Sequence, residues 1–223
     1  MEWDKIWAFN KKVLDPITPR YSGLHMDASI PASSKKVPLG LVAVNVTGQT
    51  KAETKSTPLH PKDAKVGQKD IVLAPVVFVE HADAACFREN ENVTFINWGN
   101  LKIRKIHRSS DGHVTNVEAD LNLEDTDYKK TQKITWLADP SHCSHLPAEL
   151  AQLTPVTCLT YGNLISKTIL GKDDDFKQFV NRDSLKEESF LGDPQLRNLK
   201  RGDIIQLQRK GFYICDEPYQ ASQ

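Results

Sequence analysis

At 223 residues, 39% hydrophobic and 26% charged, the chain has the make-up of a globular protein with one large or two small cores. It contains no apolar run long enough to cross a bilayer, about 20 residues. Lysine plus arginine equals aspartate plus glutamate at 29 each, which argues against a protein that holds nucleic acid mainly by neutralising phosphates and leaves room for a local reader of bases. The 4 cysteines are scattered without a Cys-x-x-Cys pair and read as free thiols, not as a disulfide framework or a zinc knuckle. No basic-then-apolar leader opens the chain, so the cytosol is the expected compartment and no membrane partner is expected.

In chain order, Glu2 to Leu14 places Trp3, Ile6, Trp7, Val13 and Leu14 at helical spacing, and Asp15-Pro16 stops the helix because proline disfavours α geometry before it. Residues 25–58 turn rich in Ser, Thr, Lys, Ala and Gly, a loop with one embedded strand over 37–47. Val76 to Glu80 is a strand leading into a helical turn over 81–87. Asn92 to Asn97, Leu101 to Arg108, Val114 to Leu123 and Lys133 to Leu137 are β-type runs joined by turn residues, which predicts a four-stranded antiparallel meander. Closing such a meander into a barrel removes its exposed edges. Lys102 and Arg104 share one face of their strand and Lys105 lies opposite.

Residues 139–155 break the pattern. His142, Cys143 and His145 are zinc-type donors, but three donors within four residues rarely converge on one tetrahedral ion, so no metal is expected. Val156 to Tyr161 is a short strand. Asp173, Asp174 and Asp175 suit a helix start, where carboxylates meet unsatisfied amides, with Phe176, Phe179 and Val180 packing inward. Another helical turn follows Asp193-Pro194.

The last stretch, 202–216, says most about chemistry. Ile205 and Leu207 alternate with Gln206 and Gln208, so a hairpin would bury the aliphatics and expose both amides, with Gly211 supplying positive φ at its turn. Its outer face then gathers Gln206, Gln208, Arg209 and Lys210, groups that can pair with the edge of an unpaired base. Any half-buried hairpin also shows polar residues outside, and the pattern alone leaves both readings open.

The run Ile-Ile-Gln-Leu-Gln-Arg-Lys-Gly-Phe-Tyr-Ile-Cys-Asp at 204–216 resembles the end of the anticodon-binding region of class I glutamyl- and glutaminyl-tRNA synthetases, eukaryotic glutamyl type. So do 2–12 with Asp15-Pro16-Ile17-Thr18-Pro19-Arg20-Tyr21, and Val-Thr-Phe-Ile-Asn-Trp-Gly-Asn-Leu-Lys-Ile at 93–103. His60-Pro61-Lys62 and Gly171-Lys172-Asp173-Asp174-Asp175-Phe176 are similar to further family elements, whereas 25–36 looks like an insertion.

The resemblance implies a mainly β fold: two tandem antiparallel β-barrels after a short N-terminal helix. Residues 1–15 would end a helical connector from a catalytic domain. Residues 16–140 would form the first barrel together with strands returning from the C-terminus, and 141–223 the second. The implied function is recognition of the anticodon stem-loop of glutamate tRNA. Arg20, Lys62, Thr94, Asn97, Gln206, Gln208 and Arg209 are the implied contacts, Arg20 and Arg209 foremost, since a planar guanidinium binds a base edge or phosphate bidentately.

No nucleotide-binding glycine loop, His-x-Gly-His or Lys-Met-Ser-Lys-Ser motif is present, so no catalytic residue is assigned and the chain alone is expected to be inactive. ATP and magnesium would serve the parent glutamate-tRNA ligase, with no cofactor in this chain. A glutaminyl enzyme, or a scaffold binding other synthetases in a complex, are the alternatives, and a prolyl synthetase fused downstream is left open.

Overall fold

The computed structural model describes residues 3–221, so Glu2 of the expected first helix lies outside the described residues. Helix α1 (Trp3–Leu14) ends where expected, with the Thr18 hydroxyl donating to the Leu14 carbonyl at 2.7 Å. The strands that follow are β1 (Arg20–Tyr21), β2 (Gly23–His25), β3 (Leu41–Thr47), β4 (Glu53–Pro58), β5 (Gln68–Leu73) and β6 (Val76–Glu80). After the short helix α2 (His81–Ala85) come β7 (Asn92–Phe95), β8 (Gly99–Arg108), β9 (Val114–Leu121), β10 (Gln132–Ile134) and β11 (Leu137–Ala138). Helix α3 (Ala148–Ala151) precedes β12 (Thr154–Tyr161), β13 (Leu185–Gly192), β14 (Ile204–Leu207) and β15 (Gly211–Ile214). The fold is mainly β.

Seven strands form the principal sheet in the order β10-β7-β8-β9-β3-β6-β11. Its two edge strands are separated in the chain by Thr135 and Trp136 alone, so the sheet curves strongly enough to bring them near each other at that point. Inside lie Val42, Val44, Val77, Val79, Phe95, Leu101, Ile103, Val117, Ala119 and Ile134. Phe95 meets Trp98 edge-on, Trp136 packs against Trp98, and the Trp136 indole N–H donates to the Ile96 carbonyl at 2.9 Å. That bond gives a buried indole its required acceptor and pins residue 96 at the rim of the sheet.

The antiparallel meander holds through β7, β8 and β9, and its expected fourth strand is a correction. β10 does not continue beyond β9; it returns to the far edge and pairs parallel with β7. β3 with β9 and β1 with β14 are also parallel, so the sheets are mixed where purely antiparallel pairing was expected. Period-two alternation buries one face of a strand whichever way its neighbour runs, so it carries no information on direction. In β8 a bulge between Ile103 and Lys105 places both Arg104 and Lys105 outside, and Arg104 pairs with Asp120 at 3.1 Å. Lys105 is therefore not on the opposite face.

β1 and β2 pair with β14 and β13, not with the principal sheet, which among the described residues contains no strand from beyond Ala138. The first strands of the chain thus belong to the sheets of its last part. Tyr21, Cys158, Phe190, Leu196, Ile205 and Leu207 form the core between them. A third cluster, Leu24, Leu41, Ala43, Phe78 and Leu137 with Leu191 packed against it, joins the two parts.

Charges fasten the junction as well. Lys69 and Asp193, 0% and 4% exposed, pair at 2.6 Å. Glu80 accepts from the His25 backbone N–H at 2.7 Å and from Lys210 Nζ at 2.6 Å. Burial on this scale demands such partners, since an unpaired buried charge costs several kcal/mol.

The segment at 171–180 differs from expectation. Only Phe176–Phe179 forms a turn of 3₁₀ helix, with the Asp175 carboxylate accepting from Lys177 N–H at its start. Phe176 and Val180 are 53% and 43% exposed instead of packing inward. One 3₁₀ turn presents too little surface to bury three apolar side chains. Leu123, the last of the alternating residues near β9, lies beyond the strand and is 47% exposed.

Candidate nucleic-acid interface

Strand register brings the two ends of the chain together at one place. β1 lies parallel to β14 with Arg20 opposite Gln206 and Tyr21 opposite Leu207. Gln206 N–H donates to the Pro19 carbonyl and Gln208 N–H to the Tyr21 carbonyl, each at 2.9 Å, while Arg20 N–H donates to Leu59 at 2.8 Å. Because Ile205 and Leu207 face the core at 6% and 1% exposure, Gln206 and Gln208 must face outward beside Arg20.

Arg20, Asn97, Gln206, Gln208 and Arg209, with Pro58, Leu59, Pro61 and Ile96, line a surface cleft of about 250 Å³. Five of the seven residues expected from the sequence therefore converge. The polar groups sit among two prolines, a leucine and an isoleucine, the mixture of apolar wall and edge-reading group that suits a planar base.

Their hydrogen-bonding capacity differs. Among the described residues the Gln206 amide has no partner in the protein and can both donate and accept. The Gln208 side-chain Oε1 accepts from the Ser22 hydroxyl at 3.3 Å. Arg20 Nη2 donates to Asp15 Oδ1 at 3.0 Å, while its Nε is buried with no partner. A buried donor left unmade costs about 1–3 kcal/mol. Asn97 adopts φ of 67°, and Lys55 Nζ donates to its carbonyl at 3.0 Å.

Arg209 is placed differently from expectation. Its two terminal nitrogens reach Asp83 Oδ2 and Oδ1 at 2.6 and 2.7 Å. That hydrogen-bonded carboxylate holds the guanidinium above its ordinary pKa range against the opposing effect of burial. The hairpin turn Gln208-Arg209-Lys210 carries its positive φ, 67°, at Arg209. Gly211 was expected to supply it but is paired with Leu207 inside β15. The bidentate clamp on α2 offsets the roughly 1–2 kcal/mol that a left-handed non-glycine residue costs.

Family models described as tRNA synthetases class I (E and Q), anti-codon binding domain, match residues 37–122 and 133–216. The chain belongs to this anticodon-binding family. It is 53% identical over 220 residues, 99% of its length, to the bifunctional glutamate/proline--tRNA ligase of Cricetulus griseus. Against the bifunctional ligase of Drosophila melanogaster the identity is 47% over 98% of the chain, and against a probable cytoplasmic glutamate--tRNA ligase of Schizosaccharomyces pombe it is 34% over 100%. The chain spans about 13%, 12% and 28% of those relatives' own lengths.

Within this anticodon-binding domain the other two expected contacts are not among the residues lining the cleft. Thr94 is 8% exposed, its hydroxyl donates to Asn100 Oδ1 at 2.6 Å and it meets the Thr131 hydroxyl at short range. With Asn92, Asn122 and Asp125 it belongs to a polar network that fixes the loop after β9. Lys62 is exposed and follows Pro61 at the cleft margin.

Sequence reasoning gave no holding role to Asp15 and Asp83, which bond the two arginines, or to His60, which bonds the Asp15 carbonyl. Asp83 read as an ordinary residue of a helical turn, and its 6% exposure was the signal that only coordinates give. His142, Cys143 and His145 diverge: His142 lies 3.9 Å from Asp139, the Cys143 thiol donates to the Asp139 carbonyl and His145 bonds to the Ala52 carbonyl.

Proposed function

We propose that this cleft reads unpaired anticodon bases of glutamate tRNA, as the anticodon-binding part of a longer, cytoplasmic glutamate-tRNA ligase. The observation that carries the reading is the convergence of Arg20, Asn97, Gln206 and Gln208 in an anticodon-binding family member on one cleft, where the Gln206 amide has no partner among the described residues. Gln206 would pair with a base edge through its amide, and Arg20 would donate to a base oxygen or the adjoining phosphate. The prolines, Leu59 and Ile96 would cover the base faces. Asn97 would add an edge contact, and Lys62 and Lys55 would meet the backbone at the rim. Arg209 would hold the hairpin tip in place.

Holding the anticodon here would place the far end of the tRNA at a catalytic part elsewhere in the longer protein. Among the described residues no group of three His, Cys, Asp or Glu side chains is arranged to hold a metal, and we assign ATP and magnesium to that catalytic part. The likeness to bifunctional ligases supports a proline-tRNA ligase as the companion synthetase on the same polypeptide.

We also read the rolled sheets as two barrels. The first would comprise β3 and β6 to β11. The second would comprise β1, β2 and β12 to β15, with Ser22 linking β1 to β2 and Tyr213 of β15 against Thr160 of β12.

The test is titration of the protein with glutamate tRNA, glutamine tRNA and glutamate tRNA carrying a changed anticodon. Arg20→Ala should weaken binding of the glutamate tRNA by about 1–3 kcal/mol, the worth of one good bidentate contact. Equal affinity for all three RNAs, or an unchanged affinity on Arg20→Ala, would refute the reading.

A further inference from the structure

We propose that His60 is the positioning residue for Arg20, acting through Asp15, and thereby sets the affinity of the cleft for an unpaired base. This role rests on the anticodon reading above and names the part that makes its first arginine effective. His60 is 2% exposed, and both ring nitrogens are committed. Lys62 N–H donates to Nδ1 at 3.2 Å, so Nδ1 carries no proton. Nε2 stands 2.7 Å from the Asp15 carbonyl oxygen, which can only accept, so the ring hydrogen is on Nε2. The imidazole is thus neutral in a tautomer assigned by its partners.

One consequence concerns Arg20. Its Nη2 lies 3.2 Å from the same Nε2, and two donors cannot bond to each other. The guanidinium is held instead by Asp15 Oδ1. His60 therefore acts one residue removed: it clamps the backbone of Asp15, just past the C-terminal end of α1, to the turn at 60–62. The neighbouring Leu59 carbonyl accepts the Arg20 backbone N–H. Both ends of Arg20 are fixed from this one turn, and its buried Nε keeps a hydrogen that no atom of the described residues accepts. A clamp of this kind removes side-chain freedom before RNA arrives, so less entropy is lost on binding.

The experiment is a double-substitution cycle read by anisotropy of a synthetic, fluorescently labelled anticodon stem-loop of glutamate tRNA, with thermal unfolding followed in parallel. His60→Ala should weaken binding about tenfold. In the Arg20→Ala background the same change should cost under about twofold, because the residue it positions is gone. His60→Gln, whose amide can still donate to the Asp15 carbonyl, should recover most of the loss even if it melts below the wild type. An equal cost of His60→Ala in both backgrounds would mark a merely structural role and overturn the proposal. So would wild-type affinity for His60→Ala while Arg20→Ala is impaired. Unchanged affinity for Arg20→Ala itself would instead overturn the anticodon reading.

Discussion

Removing the Arg209 side chain separates a reader of bases from a holder of structure. Its bidentate partner Asp83 is 8% exposed at the side chain, while Arg209 is 34% exposed. Breaking one side of a fully buried pair costs about 3–5 kcal/mol, and an exposed pair is worth about 0–1 kcal/mol. With one partner wet and the other dry, Arg209→Ala should cost about 2 kcal/mol of folding stability. Arg209→Gly loses the same pair but relieves the φ of 67°, so it should be about 1 kcal/mol less damaging than alanine.

RNA affinity should fall by about 1–3 kcal/mol in both variants, roughly 5- to 150-fold, because Gln206 and Gln208 sit on the hairpin that this pair anchors. Asp83→Asn then decides the mechanism. A holding role predicts that it reproduces the loss of affinity; a direct base contact predicts affinity at or above wild type, since the guanidinium is released. Urea unfolding and titration with the same stem-loop give both numbers. Wild-type RNA affinity for Arg209→Ala would remove this arginine from the cleft's function, and wild-type stability would show that the clamp on α2 contributes nothing.

Lys69 and Asp193 join the β4–β5 hairpin to the turn after β13, with the lysine side chain 0% exposed. Lys69→Met should cost about 3–5 kcal/mol by stranding a buried carboxylate, and adding Asp193→Asn should restore part of it; strict additivity in urea unfolding would show that the two do not interact. Burial pushes the Cys143 and Cys158 thiols up to about 11 from 9.0. The unfolded chain therefore releases these protons first, so stability is full below pH 9 and falls as pH rises toward 11. Tyr21 and Tyr213, also raised by burial, add to the loss above pH 10. Replacing both cysteines by alanine should flatten the slope between pH 9 and 10, and an unchanged slope would contradict this assignment. In thiol titration of the native protein, exposed Cys86 should react first and the two buried thiols only on unfolding.

Local chemistry made some elements readable along the chain. Asp15-Pro16 announced the end of α1, and alternation at Val117 and Ala119 of β9 and at Ile205 and Leu207 of β14 announced which residues would be buried, because a regular pleat turns every second side chain to one face; the bulge in β8 broke that rule. The β4–β5 hairpin was not readable. Glu53–Pro58 has one buried residue, Thr57, and the composition of a loop, so its strand character comes from pairing with β5 and not from its own side chains.

The amino-acid sequence by itself determined the family, the strand-rich character and the residue types able to read a base, since each rests on neighbours a few positions apart. Tertiary structure alone decided which of those residues meet. Ser22 and Gln208, 186 positions apart, touch because β1 runs parallel to β14. Thr94 turned inward to a polar network, and Arg209 acquired Asp83. The physical reason is that partner, direction and burial belong to pairs of segments distant in the chain, and a pattern within one segment holds no record of the other.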